Sequence, residues 1–270
     1  MICRGQAIRF DKRTDVGRTE PLRTLITITD DEIEHDVIMK ISQSLGGSVN
    51  NLAYEMLGAI LAGDLGLPVC RPFLVEMDDA FVGSIFPLSL RQRLETSCPL
   101  AFGSQDAGRQ WRTWSAGTDH VSAEQVDLAL RIIAFDAFTG NPDRAPNNPN
   151  MLVQGDQWRL IDHENAFGFR LKLFPKCQPW VIGNLDLLTK WGQWSEHIFA
   201  QTLHKKSNLD FSSVRNSWAD LSDVRLAEYD ACLPPEWDDA RDDFSDAINH
   251  IRQVRDTIDL CVAELKRVLT

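Results

Sequence analysis

The chain has 270 residues, 43% of them hydrophobic and 25% charged, with a formal charge of −11. A chain of this length buries roughly 75% of its unfolded surface on folding, so it needs no disulfide or structural metal for stability. With no apolar run of the ~18–20 residues a membrane span needs, no apolar signal-peptide core after Met1 and an acidic field that opposes general binding to phosphate backbones, a cytoplasmic protein without direct nucleic-acid contact is expected.

In chain order, Ala7–Phe10 and Leu25–Thr29 read as short strands separated by the polar stretch Asp11–Pro21. Asp36–Ile41 alternates, with Val37, Met39 and Ile41 on one face and Ile38 and Lys40 on the other. A helical stripe follows, carried by Leu52, Met56 and Ile60 beside Ala53, Leu57 and Leu61, and it stops at Gly66-Leu67-Pro68. Phe73–Met77 and Phe81–Phe86 look like two strands joined at Asp78-Asp79, which completes a small sheet around a single helix. The polar stretch Pro87–His120 reads as a linker.

Ser122 and Gln125 fit a capping box ahead of an apolar stripe from Val126 to Phe138, and Gly140 sits where a C′ glycine belongs. A polar loop, Asn141–Pro149, leads into a hairpin of Met151–Val153 against Trp158–Ile161, turned at Gln154-Gly155-Asp156. From Asn184 onward the pattern is helical, broken at Pro234-Pro235, and a last helix of about Asp238–Leu269 packs on its own lobe. The expected fold class is α+β and bilobal. A sheet lobe covers residues 1–87, and a larger, mainly helical lobe covers 88–270.

The chemistry concentrates in Asn141-Pro142-Asp143-Arg144-Ala145-Pro146-Asn147-Asn148-Pro149-Asn150 and in Leu160-Ile161-Asp162-His163. Prolines and asparagines make the first stretch turn-rich. The hairpin runs out about five residues and back about five, which returns Asp162 to the loop holding Asp143 and Asn148. Two acids and a carboxamide suit a hard cation such as Mg²⁺, which takes one or two protein oxygens and leaves its other positions to water and phosphates. Phosphoryl transfer needs that metal, a carboxylate near the attacking hydroxyl and a cation on the phosphates. Asp143 suits the base or orienting group, and Asn148 and Asp162 the metal ligands. Lys40 suits the cation, Glu55 the acid that holds it, and Ile38 a cover for the adenine. Asp136 reads as a brace for the loop, Asn150 as structural, and His163 as a structural hydrogen-bonding residue.

These residues carry a resemblance. Asp143-x-x-x-x-Asn148, a short hairpin and Asp162, preceded by a strand lysine and a helix glutamate, match the order of protein-kinase-like folds. Phe135-Asp136, Gly140-Asn141-Pro142-Asp143-Arg144, Asn148-Pro149-Asn150 and Ile161-Asp162-His163 resemble the HipA-like kinases, including their short stand-alone branch, over about Val37 to Phe167. The resemblance implies a kinase-like fold, ATP and Mg²⁺, and transfer to a Ser or Thr hydroxyl of a protein. It also implies a bacterial toxin–antitoxin or stress setting, with a regulatory or antitoxin-like partner protein.

The chain departs from the pattern in places. It has no Gly-x-Gly-x-x-Gly, and the loop expected to cover the phosphates, Arg13–Pro21, carries only Gly17 for cofactor binding, with Thr14 and Thr19 as candidates for self-phosphorylation. His163-Glu164 follows Asp162, and no Ala-Pro-Glu anchor appears. Two other readings stand beside the protein kinase. One is a pseudokinase that serves as a binding module, and the other is a small-molecule hydroxyl kinase acting on an aminoglycoside-like substrate. Six scattered cysteines without Cys-x-x-Cys, no His-Glu-x-x-His and no Gly-x-Ser-x-Gly leave disulfide, zinc and serine-hydrolase chemistry without support.

Overall fold

The computed structural model describes residues 2–13, 20–28, 33–168, 178–186, 197–204 and 206–270. Gly17, Thr14 and Thr19 lie outside them. The N-terminal strands are β1 (Cys3–Arg13), β2 (Leu22–Ile28) and β3 (Glu34–Lys40), joined as an antiparallel meander. β4 (Pro72–Glu76) and β5 (Leu100–Gln105) complete a closed barrel in the order β1-β2-β3-β5-β4. A parallel pairing of Cys3–Gln6 with Phe73–Glu76 closes the ring. The small sheet expected from sequence is therefore a barrel, and one of its staves comes from the stretch expected to be a linker.

Strand alternation sorts the side chains. Val37 and Met39, with Phe73, Val75 and Ala101, fill the barrel interior. The opposite faces turn Leu74 and Phe102 outward onto α1 (Asn50–Asp64), which is buried on almost every side. Lys40 pairs with Phe102 in the ladder, so it too projects outward, toward α1. Gly103 is required inside the barrel, because a Cβ there would lie 2.8 Å from Val75 Cγ2. α1 stops as its sequence predicts. Gly66 takes a left-handed conformation at φ 68°, and Leu67 N–H donates to the Ala62 carbonyl at 2.9 Å.

Phe81–Phe86 is not a strand. Asp78 caps a short helix, α2 (Asp79–Gly83), by accepting from Phe81 N at 2.7 Å. The residues expected to form a linker hold α3 (Leu88–Glu95), β5 and a two-residue strand, β6 (Arg112–Thr113). β6 pairs with the expected hairpin, β7 (Met151–Gln154) and β8 (Gln157–Leu160), in a second sheet.

α4 (Val126–Thr139) starts with half a capping box, since Gln125 Oε1 accepts from Ser122 N while the Ser122 hydroxyl turns to Glu124. It ends at Gly140, left-handed at φ 66°. The C-terminal part contains α5 (Ala200–His204), α6 (Ser212–Ala219), α7 (Asp223–Ala231), a 3-10 turn at Pro235–Ala240, α8 (Arg241–Asp256) and α9 (Ile258–Leu269). The single last helix expected from sequence is thus a 3-10 turn and two helices, broken again at Thr257. Its apolar seam lies in the core, where Phe244, Ile251, Val254, Cys261 and Leu265 pack with α1 and α4 residues. No described helix is long and apolar enough to cross a membrane.

Candidate active site

The site forms where β3, α1, the loop after α4 and the residues after β8 meet. Lys40 is buried at the end of β3, and its Nζ donates to Glu55 Oε2 at 2.9 Å, Asp162 Oδ1 at 2.8 Å and Glu164 Oε2 at 2.9 Å. Burial works against the ammonium, but the charges of Glu55, Asp162 and Glu164 outweigh it and hold the Lys40 pKa above the ordinary lysine value. Glu55 shows the reverse balance. Its burial outweighs the nearby ammonium and pushes its carboxyl up to about 7. Glu164 is pushed up as well, first by burial and then by Asp162 and Asp143 against the pull of Lys40.

Glu55 also fixes the segment after β8, because its Oε2 accepts from His163 N at 2.8 Å. That segment leaves the hairpin through Asp162, whose φ of 62° is left-handed, a conformation that costs a non-glycine residue about 1–2 kcal/mol. The backbone bond to Glu55 and the ion pair to Lys40 hold it there. Among the described residues the His163 ring makes no hydrogen bond through either nitrogen, contrary to the role expected from sequence, and only its backbone N–H is bonded. It packs edge-on against Phe135 and over Gly58, and burial drives its pKa down to about 3, which keeps the imidazole neutral.

The loop after α4 is built around Asp143. Asn141 Oδ1 accepts from Asp143 N at 3.1 Å, an Asx turn that sets the direction of the aspartate. Ala145 and Asn148 then exchange backbone hydrogen bonds across Pro146-Asn147, which brings the Asn148 side chain back over Asp143. Three carboxamides converge on Asp143. Asn148 Nδ2 reaches its Oδ1 at 2.9 Å, while Asn150 and Asn165 reach its Oδ2 at 3.1 and 3.0 Å. Asp162 is bound to Lys40 and Asn148 to Asp143, with no hydrogen bond between these two predicted metal ligands among the described residues. Ile38 is half-buried two residues before Lys40 on the same strand face.

A second group braces this loop from below. Asp136, at the end of α4, receives Arg144 Nε at 2.6 Å, Asn141 Nδ2 at 2.8 Å and His197 Nε2 at 2.9 Å. Arg144 also reaches the Asn150 carbonyl. Because Phe199 N donates to His197 Nδ1, the proton sits on Nε2 and points at Asp136. Burial would raise the Asp136 pKa, but the Arg144 charge and the His197 hydrogen bond bring it down to about 2. The brace role of Asp136 was legible. The parts played by Arg144, His197, Glu164 and Asn165 were not, although Arg144 and Glu164 stand inside the quoted motifs.

The sequence profile of the HipA-like kinases matches residues 35–264. The chain belongs to the HipA-like kinase family. This assignment covers more of the chain than the motifs that first suggested it. Among solved structures, the crystal structure of a Helicobacter pylori proinflammatory kinase, CtkA, aligns over 91% of this chain and 94% of that one, at 10% identity and a TM-score of 0.46. No curated protein matches the sequence.

For a HipA-like kinase, membership implies ATP and a divalent metal, and the donor set here suits both. Carboxylate oxygens of Glu55, Asp162 and Glu164 lie within 4.8 Å of one another because all three accept from Lys40 Nζ, and Asp162 among them offers the hard oxygen that Mg²⁺ takes. Asn148 uses its nitrogen on Asp143, so its Oδ1 accepts no hydrogen bond among the described residues and remains available to a cation. The Lys40 ammonium adds the fixed positive charge that phosphates need.

Proposed function

We propose that this HipA-like kinase transfers the γ-phosphoryl group of ATP, with Mg²⁺, to a serine or threonine hydroxyl of a protein. The observation that carries the reading is the Lys40 ammonium, anchored to Glu55 on α1 and to Asp162 at 2.9 and 2.8 Å. That arrangement joins a fixed cation, its helix carboxylate and a metal-type aspartate in one cluster.

In this reading the nucleotide lies between the N-terminal barrel, which β5 completes beyond the expected boundary at residue 87, and the helical C-terminal part. Lys40 binds phosphate oxygens and Glu55 keeps its ammonium in place. Ile38 covers the adenine, and Gly17, which lies outside the described residues, is assigned to nucleotide binding. Asp162 and Asn148 hold Mg²⁺, which supplies positive charge against that of the phosphates. Asp143 accepts the hydrogen bond of the acceptor hydroxyl and orients it for attack, with Asn148, Asn150 and Asn165 fixing its carboxylate. The Asp136–Arg144 pair keeps the loop rigid, so little positioning entropy is lost when the acceptor arrives. A bacterial toxin–antitoxin or stress setting, with a regulatory partner protein, completes the proposal.

Incubation with γ-labelled ATP, Mg²⁺ and a cell lysate tests it. Label on protein is the expected result. Label on a small molecule would favour the aminoglycoside-type kinase, and no label at all would favour a pseudokinase. Asp143→Ala should abolish labelling while circular dichroism and melting stay near wild type, because Asn148 and Asn165 can turn to water. Retained labelling would remove Asp143 from the mechanism.

A further inference from the structure

An ammonium has three N–H donors. On Lys40 all three are spent, on Glu55, Asp162 and Glu164, at 2.8–2.9 Å. A phosphate oxygen can therefore reach Lys40 only by displacing a carboxylate. This argument rests on the kinase reading above, in which Lys40 binds phosphate.

The three carboxylates are not equally held. Glu55 is fixed twice over, since its side chain is only 4% exposed and its Oε2 also accepts from His163 N. Asp162 sits at a backbone position that the fold over-determines, and the metal reading keeps it in the site. Glu164 has Lys40 as its sole hydrogen-bond partner among the described residues, and it follows Asp162 in an irregular turn. Its carboxylate also lies near enough to Asp143 and Asp162 for their charges to act against it. Of the three contacts, the one to Glu164 is the easiest to break.

We infer that Glu164 is a displaceable cap on Lys40, a positioning residue that occupies the place of a nucleotide phosphate and sets nucleotide affinity by competing with it. With Glu164 in place, one ammonium faces three carboxylates, and the entrance to Lys40 repels a polyphosphate. When the phosphate enters, the Glu164 carboxylate leaves Lys40 for solvent and a phosphate oxygen takes the vacated N–H, with no covalent change.

The test measures binding of a non-hydrolysable ATP analogue, with and without Mg²⁺, by calorimetry on the full chain. Glu164→Gln and Glu164→Ala are compared with wild type, and thermal melting confirms that each is folded. Both variants should bind the analogue about tenfold more tightly than wild type, because a charge-assisted contact no longer has to be broken. In turnover the gain should appear as a lower KM for ATP, with kcat changed far less, and Glu164→Asp should return toward the wild-type KM. Unchanged or weaker binding by both variants, with wild-type binding intact, overturns the cap. So does a raised Mg²⁺ requirement, which would make Glu164 a metal ligand. Failure of wild type and variants alike to bind any nucleotide would overturn the kinase reading and the cap with it.

Discussion

Arg144 and Asp136 meet at 2.6 Å with neither side chain exposed to solvent. Through this pair the last turn of α4 holds both ends of the loop that carries Asp143. Removing one partner of such a pair leaves the other charged, buried and unpaired, which costs about 3–5 kcal/mol. Arg144→Ala should therefore lower the free energy of unfolding by about that amount in urea titrations. A loss below about 1 kcal/mol would show that the loop does not depend on the guanidinium.

The same pair sets a pH dependence. The folded Asp136 carboxyl is depressed to about 2 from an unfolded value near 3.8. Above about pH 5 both folded and unfolded chains carry the carboxylate, and the stabilisation is fully present. As the pH falls from about 5 toward 2, the unfolded chain binds a proton first, and about 2 kcal/mol of stability is lost. Unfolding followed at pH 5 and pH 3 should show a shallower acid loss in Asp136→Asn than in wild type. Equal slopes would place the titration elsewhere.

Lys40 allows structure and chemistry to be separated. Lys40→Ala leaves Glu55, Asp162 and Glu164 facing one another without a counter-charge, so both stability and transfer should fall, with kcat/KM down by about 100-fold or more. Adding Glu55→Gln relieves part of the repulsion. The double variant should regain melting temperature without regaining activity. Recovery of phosphate transfer in the double variant would mean that Lys40 serves the fold alone.

Gly58 lies one turn after Glu55 on the same face of α1, against His163. A Cβ at this position would lie 2.6 Å from His163 Cβ, and the backbone there is helical and cannot yield freely. Gly58→Ala should cost about 1–3 kcal/mol by overpacking. It should also raise the KM for ATP, because pushing His163 away disturbs the hydrogen bond that its N–H makes to Glu55. An unchanged melting temperature together with an unchanged KM would show that the contact is absorbed by slack elsewhere.

The elements that the sequence revealed have local signals. Alternation marked Asp36–Ile41, a 3.6-residue period marked α1 and α4, and turn residues marked both the hairpin and its length, which is why Asp162 was expected to return toward Asp143. The misreadings have local causes too. Phe81–Phe86 alternates enough to look like a strand, although Asp78 just before it is the helix cap. β5 is short and glycine-containing, and its identity as a stave depends on neighbours far along the chain. Barrel closure by parallel pairing of β1 with β4 has no sequence signature, and neither does the bond between Asp136 and His197, 61 residues apart. Glu164 lies in an irregular turn, where no periodicity tells which way a side chain points.

Closing the ring through Cys3–Gln6 makes these residues the cover of one edge of β4. Deleting them would not simply trim a terminus. It would leave β4 with a row of bare amides and carbonyls, a ready template for a strand borrowed from another molecule. Trimming or crowding this end should thus favour exchange of strands between copies.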